Sequence, residues 1–148
     1  MFIPTKILVP TDFSKFSYKA LEQALDIAKI CKAKTLCLHV LDGGTYNADQ
    51  DFVIPKDVVD QFEDDSLACA RERLQNQLDR FPQAKEVEVD TNIREGVPCE
   101  EILKEAKEQG IDMIVIASLG QSGNAQYLIG RVARNVLKEA TCSVLLTK

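Results

Sequence analysis

Apolar residues recur along this chain in two alternating rhythms. Lys6-Ile7-Leu8-Val9-Pro10, Thr35 to Leu41, Asp112 to Ala117 and Ser143 to Thr147 are short apolar runs. Their length and continuity predict strands covered on both faces. Between them, apolar positions return every three or four residues, as on amphipathic helices. Ala20, Leu21, Ala24, Leu25 and Ala28 make the first such stripe, with Ser14 or Ser17 as its N-cap. Leu67, Ala70, Leu74, Leu78 and Phe81 make the second, over roughly 57–81. Pro82 ends it, because the residue before a proline avoids helical geometry. Cys99, Ile102, Leu103 and Ala106 form the third, opened by Pro98 and closed by Gly110. From Gly130 onward, Val132, Val136, Leu137 and Ala140 read as the inward face of the fourth. Val87, Val89, Thr91 and Ile93 alternate instead with polar residues, which predicts a strand at a sheet edge. Residues 42–56, from Gly43-Gly44 to Pro55, read as a loop longer than the ~4–6 residues typical of compact domains, a mobile connection or a lid.

The order β-α-β-α-β-α-β-α-β predicts an α/β fold of parallel strands joined by right-handed crossovers, with helices on both faces. The 148 residues suit a single domain spanning 1–148, with 45% hydrophobic and 28% charged residues. A net charge of −5, with bases interspersed among acids, argues against nucleic acid as a partner. No apolar run approaches the ~20 residues of a membrane span, and Met1 to Lys6 leave no room for a secretory signal. A cytoplasmic protein is expected. The five cysteines, Cys31, Cys37, Cys69, Cys99 and Cys142, form no C-x-x-C pair and read as reduced structural thiols.

Ligands of open parallel sheets bind beyond the carboxyl ends of the strands, where strand order reverses. Two segments qualify: Pro10-Thr11-Asp12-Phe13-Ser14 after the first strand, and Ile116 to Gly123 after the fourth. Gly120, Ser122, Gly123 and Gly130 suit a backbone cradle for an anion, and equally suit plain turns. G-x-x-x-x-G-K-[ST] is absent, as is G-x-G-x-x-G after the first strand, which argues against P-loop and dinucleotide enzymes. Asp12 fits both a ligand contact and a turn-capping role near Ser14. His39, the single histidine, lies inside an apolar run and reads as packed and hydrogen-bonded. No metal-ligand spacing occurs, and no nucleophile elbow. Arg131, Arg134 and Lys138 read as a solvated helical stripe, and Glu63-Asp64-Asp65 as exposed helix surface.

Ile7-Leu8-Val9-Pro10-Thr11-Asp12-Phe13-Ser14, Leu38-His39-Val40 and the segment Ile114 to Leu146 resemble the universal stress protein family. The resemblance implies a flavodoxin-like, adenine nucleotide α-hydrolase-like fold: a five-stranded sheet of strand order 3-2-1-4-5. Nucleotide-binding members carry G-x-x-G, nine further residues, then G and Ser or Thr. Here the same spacing reads Ala117-Ser118-Leu119-Gly120, nine residues, then Gly130-Arg131. By the resemblance, Asp12 binds the ribose or the adenine edge, with Pro10 and Thr11 also among the nucleotide-binding residues, Val40 lines the base pocket, and Ile116 and Ala117 flank the base or ribose. Gly120, Gly130 and Val132 would place backbone near the phosphates, and Ser122, Gly123 and Arg131 complete the nucleotide-binding residues. Two departures stand out. Ala117 replaces a glycine, which is tolerable at ordinary backbone angles. Arg131 replaces a small hydroxyl residue, so a long cation either fills the phosphate site or pairs with phosphate.

The resemblance therefore implies a stress-associated regulatory protein, not an enzyme, binding ATP or another adenine nucleotide, with magnesium as its potential companion. It also implies a homodimer paired through the last strand, Ser143 to Thr147, with regulatory proteins as further partners. The alternative is a nucleotide-independent dimeric module whose site Arg131 blocks. An enzyme of another flavodoxin-like family is the third reading.

Overall fold

The computed structural model describes residues 1–42, 55–120 and 129–148. Five strands, β1 (Lys6–Pro10), β2 (Lys34–Asp42), β3 (Val89–Gly96), β4 (Met113–Ala117) and β5 (Ser143–Thr147), form one sheet. They run in the order β3-β2-β1-β4-β5, and every adjacent pair is parallel. All carboxyl ends of the strands therefore share one edge of the sheet.

Alternation along the central strands divides the core between two faces. Ile7 and Val9 of β1 point into one cluster with Ala20, Leu21 and Leu25 of α1 (Lys15–Cys31). Leu74 and Leu78 of α2 (Lys56–Asp79) complete that side. Leu8 points the other way, toward Ile102 and Ala106 of α3 (Pro98–Glu108) and Ala133 and Val136 of α4 (Arg131–Glu139). The expected strand order and the helices on both faces are thus present.

Local rules account for most boundaries. Ser14 caps α1, its side chain accepting from the Ser17 amide. Gly110, at φ +63°, ends α3 in the left-handed conformation that glycine adopts without strain. Phe81, immediately before Pro82, is extended at φ −110° and ψ 109°, so α2 stops at Asp79 and Pro82–Lys85 form a short 3-10 turn. The helix is therefore two residues shorter at its carboxyl end than the stripe predicts. Leu137 is a second correction: it is 38% exposed, and Ala133 takes the inward place beside Val136. On a nine-residue helix the inward arc is narrow, and a small residue fits the closest approach to the sheet. Residues 43–54 of the expected 42–56 loop lie outside the described residues.

Candidate functional site

The strand order reverses between β1 and β4, each of which connects onward to the opposite side of the sheet. A cleft of about 420 Å³ opens at this point, beyond the carboxyl ends of the strands. Pro10, Thr11, Asp12, Val40, Ile116, Ala117, Gly120, Gly130, Arg131 and Val132 all line it. Ten of the expected site residues thus meet in one crevice; Ser122 and Gly123 lie outside the described residues. A larger depression of about 680 Å³ follows the outer side of β3, among Leu36, Leu78, Val89 and Asp90. It flanks the amino-terminal half of an edge strand, away from the converging strand ends, so the smaller cleft is the better candidate.

The β1 and β4 ends touch. A Cβ built on Gly120 would stand 2.6 Å from Asp12 Oδ2, closer than atoms can pack. Gly120 has no positive φ, so its role is this close approach: any side chain at 120 would have to push the Asp12 carboxylate aside. Gly130 is also tightly held, by backbone: its amide donates to the Ser118 carbonyl, and a Cβ would lie 3.2 Å from that oxygen. Among the described residues no side chain caps the first turn of α4, which begins at the cleft with Arg131 as the first helical residue. Such an end attracts anions through its N–H groups and the helix dipole. Ala117 is not among the residues with positive φ, so its methyl group causes no backbone strain.

The Thr11–Phe13 turn is unusually well tied. Thr11 is buried, and its amide donates to the Leu38 carbonyl over 2.8 Å. Its Oγ1 lies 3.0 Å from Ser17 Oγ and 2.9 Å from Gln77 Oε1, and accepts from the Phe13 amide at 3.1 Å. Asp12 Oδ1 accepts from the Ser14 amide at 3.0 Å, so the capping role expected of Asp12 is present alongside its place in the cleft. Phe13 adopts φ +65°, a left-handed conformation that costs a bulky residue about 1–2 kcal/mol. Its ring lies 4.4 Å from that of His39, and the Arg73 guanidinium sits 4.1 Å from its centroid.

His39 is hydrogen-bonded, as its apolar strand predicts, and it also faces the cleft. Its Nδ1 lies 2.8 Å from the Thr11 carbonyl, which only accepts, so Nδ1 carries the proton. Burial lowers the imidazole pKa; the Thr11 carbonyl opposes that, Arg73 reinforces it and Asp12 opposes it more weakly. Sequence reasoning missed Pro98 and Ile102, which bring α3 to the cleft wall. The signal was available: in a parallel sheet, the helix after β3 also starts at this edge.

The family model described as the universal stress protein family matches residues 4–148. Universal stress protein YxiE of Bacillus subtilis is 31% identical over 153 aligned residues, covering 97% of this chain and 98% of its own. Universal stress protein UspA from Lactobacillus plantarum has a similar solved structure, with a TM-score of 0.82 at 25% identity and 97% of each chain covered. The universal stress protein from Archaeoglobus fulgidus, solved in complex with dAMP, superposes with a TM-score of 0.68 at 23% identity, over 99% of this chain and 100% of that one. With a reversal-point cleft in the expected position and a family match from residue 4 to the last residue, this chain belongs to the universal stress protein family.

Proposed function

We propose that residues 1–148 act as one regulatory domain that binds an adenine nucleotide in the cleft between the β1 and β4 ends. The observation that carries this reading is the contact of Gly120 with Asp12, which makes one continuous wall from two distant segments. In the proposed pose the base lies against Val40 and Ile116, and Asp12 accepts from ribose or adenine. The phosphates approach Gly120, Gly130 and the first turn of α4. The same fold, in the Archaeoglobus fulgidus protein, has been solved in complex with dAMP. The role in this reading is regulatory binding, and any hydrolysis of the nucleotide is slow and incidental to it. A cytoplasmic location and a homodimer through Ser143–Thr147 belong to the same proposal. Among the described residues, no helix is long and apolar enough to cross a membrane.

Titration of the protein with AMP, ADP and ATP, with and without magnesium, tests the reading. Saturable binding is expected, weakened about tenfold or more in Asp12→Ala and in Gly120→Val, whose side chain must displace the Asp12 carboxylate. Arg131 supports a second reading, because it stands exposed at the cleft where family binders carry a hydroxyl. If Arg131 pairs with phosphate, Arg131→Ser weakens ATP binding. If it fills the site, binding is absent in the native protein and appears only in that variant.

A further inference from the structure

The polar face of α2 is a solvated surface by composition, yet two of its residues, one helical turn apart, reach the β1 end. Gln77 is fully buried, and its Oε1 accepts from Thr11 Oγ1. Arg73, four residues earlier and exposed, stacks its guanidinium on Phe13. Residues at this spacing share one helix face, so a single docking of α2 delivers both contacts.

Burial of Gln77 needs an explanation. Its Nε2 has no hydrogen-bond partner among the described residues, and half-satisfied buried amides are uncommon. An apolar residue would pack on this face, beside Leu74 and Leu78, without that penalty. What an apolar residue lacks is the bond to Thr11. That threonine in turn accepts from the amide of Phe13, the residue in left-handed conformation. A strained conformation persists only where its surroundings over-determine it. Here the ring of Phe13 is fixed by Arg73 and His39, and its amide by Thr11.

We infer that Arg73 and Gln77 are positioning residues: from α2, they hold the Thr11–Phe13 turn in the strained conformation that faces Asp12 toward Gly120. Neither residue lines the cleft, so both act through the turn. The inference rests on the nucleotide reading only for what the turn binds. Binding in the cleft and docking of α2 are then two faces of one equilibrium, and each strengthens the other.

Two variants test it, Gln77→Met and Arg73→Met, with Arg73→Lys as the conservative partner that keeps a cation over the ring. In the free protein, the Phe13 and Ser14 amides are expected to exchange with solvent about tenfold faster in both Met variants, with thermal midpoints near the native value. AMP and ATP affinities are expected to fall about tenfold in step, and Arg73→Lys to restore much of both. In Arg73→Met the His39 titration, followed by NMR, moves upward, because the charge that opposes imidazolium is gone. Unchanged exchange in both Met variants overturns the inference, as does faster exchange with undiminished nucleotide affinity. If the native protein binds no nucleotide while exchange still accelerates, the clamp stands and the nucleotide reading falls. Should Gln77→Met fail to fold, Arg73→Met, at an exposed position, decides the matter alone.

Discussion

The imidazole of His39 donates from Nδ1 to a carbonyl that can only accept, so Nε2 is the nitrogen left to take up a proton. Burial is the strongest influence on that uptake and opposes it; Arg73 also opposes it, while the Thr11 carbonyl and Asp12 favour it. The net effect is a pKa below the ordinary value of 6.5. Just below that value the unfolded chain therefore holds more proton at this residue than the folded protein does. The stability His39 contributes is present above 6.5 and is lost as the pH falls through the folded pKa. Urea unfolding midpoints are expected to drop between about pH 7.5 and about pH 5.5, and His39→Gln, which keeps a donor for Thr11, to flatten that slope. At this scale the sequence disclosed Asp12, Gly120 and Gly130, because each sits at a strand end in a recognisable spacing. It concealed Arg73 and Gln77, whose targets are some sixty residues away, and it concealed the left-handed Phe13, which no glycine or asparagine announces.

Among the elements, the join between β3 and α3 shows how an edge strand is secured. Arg94 on β3 meets Glu101 at 2.7 Å, Glu108 at 3.0 Å and Glu105, all on one face of α3. Glu108, then Glu101 and Glu105, hold the guanidinium pKa above its ordinary value. Glu105 is 1% exposed, and Asn92 Nδ2 donates to its other oxygen at 2.8 Å. Removing Arg94 leaves a buried carboxylate with one neutral partner. Breaking such a pair from one side is far costlier than losing a surface bridge. Arg94→Met is expected to destabilise the protein by about 3 kcal/mol in chemical denaturation. Glu108→Gln, at a half-exposed position, is expected to lose no more than about 1 kcal/mol. The alternation at Val89, Thr91 and Ile93 made β3 legible as an edge strand, but nothing in the pattern marked Arg94 as the residue that fastens it. Charge networks depend on which helix crosses which strand, and a one-dimensional pattern does not carry that. Apolar stripes survive this better: all five α1 positions are fully buried, whereas Leu137, on the short α4, is not.

For the whole molecule, the two sheet edges are treated differently. At the start of β3 the edge carries exposed charge: Glu88 and Asp90, bridged by Lys34 of the neighbouring β2 at 3.1 and 2.8 Å. Among the described residues β5 has no such guard; Val144, Leu145 and Leu146 are only partly buried, and the strand pairs only with β4. An unguarded edge is a template for another strand, and the homodimer proposed above uses it. The ladder identifies which residues would pair. In a parallel strand the N–H and C=O of one residue point to the same side, and those of its neighbours to the other. The Thr147 carbonyl accepts from Ser118 beyond β4, so Ser143, Leu145 and Thr147 face inward, and Val144 and Leu146 face outward. Proline at 144 therefore removes an outward donor without breaking the ladder to β4. The native protein is expected to sediment at twice the mass of its 16.5 kDa chain, and Val144→Pro as a folded monomer with an unchanged circular dichroism spectrum. Leu145→Lys, which alters a side chain and leaves the outward backbone intact, is expected to weaken the dimer less. A monomeric native protein at tens of micromolar would remove the dimer from the proposal and leave the cleft at the opposite side of β4 untouched.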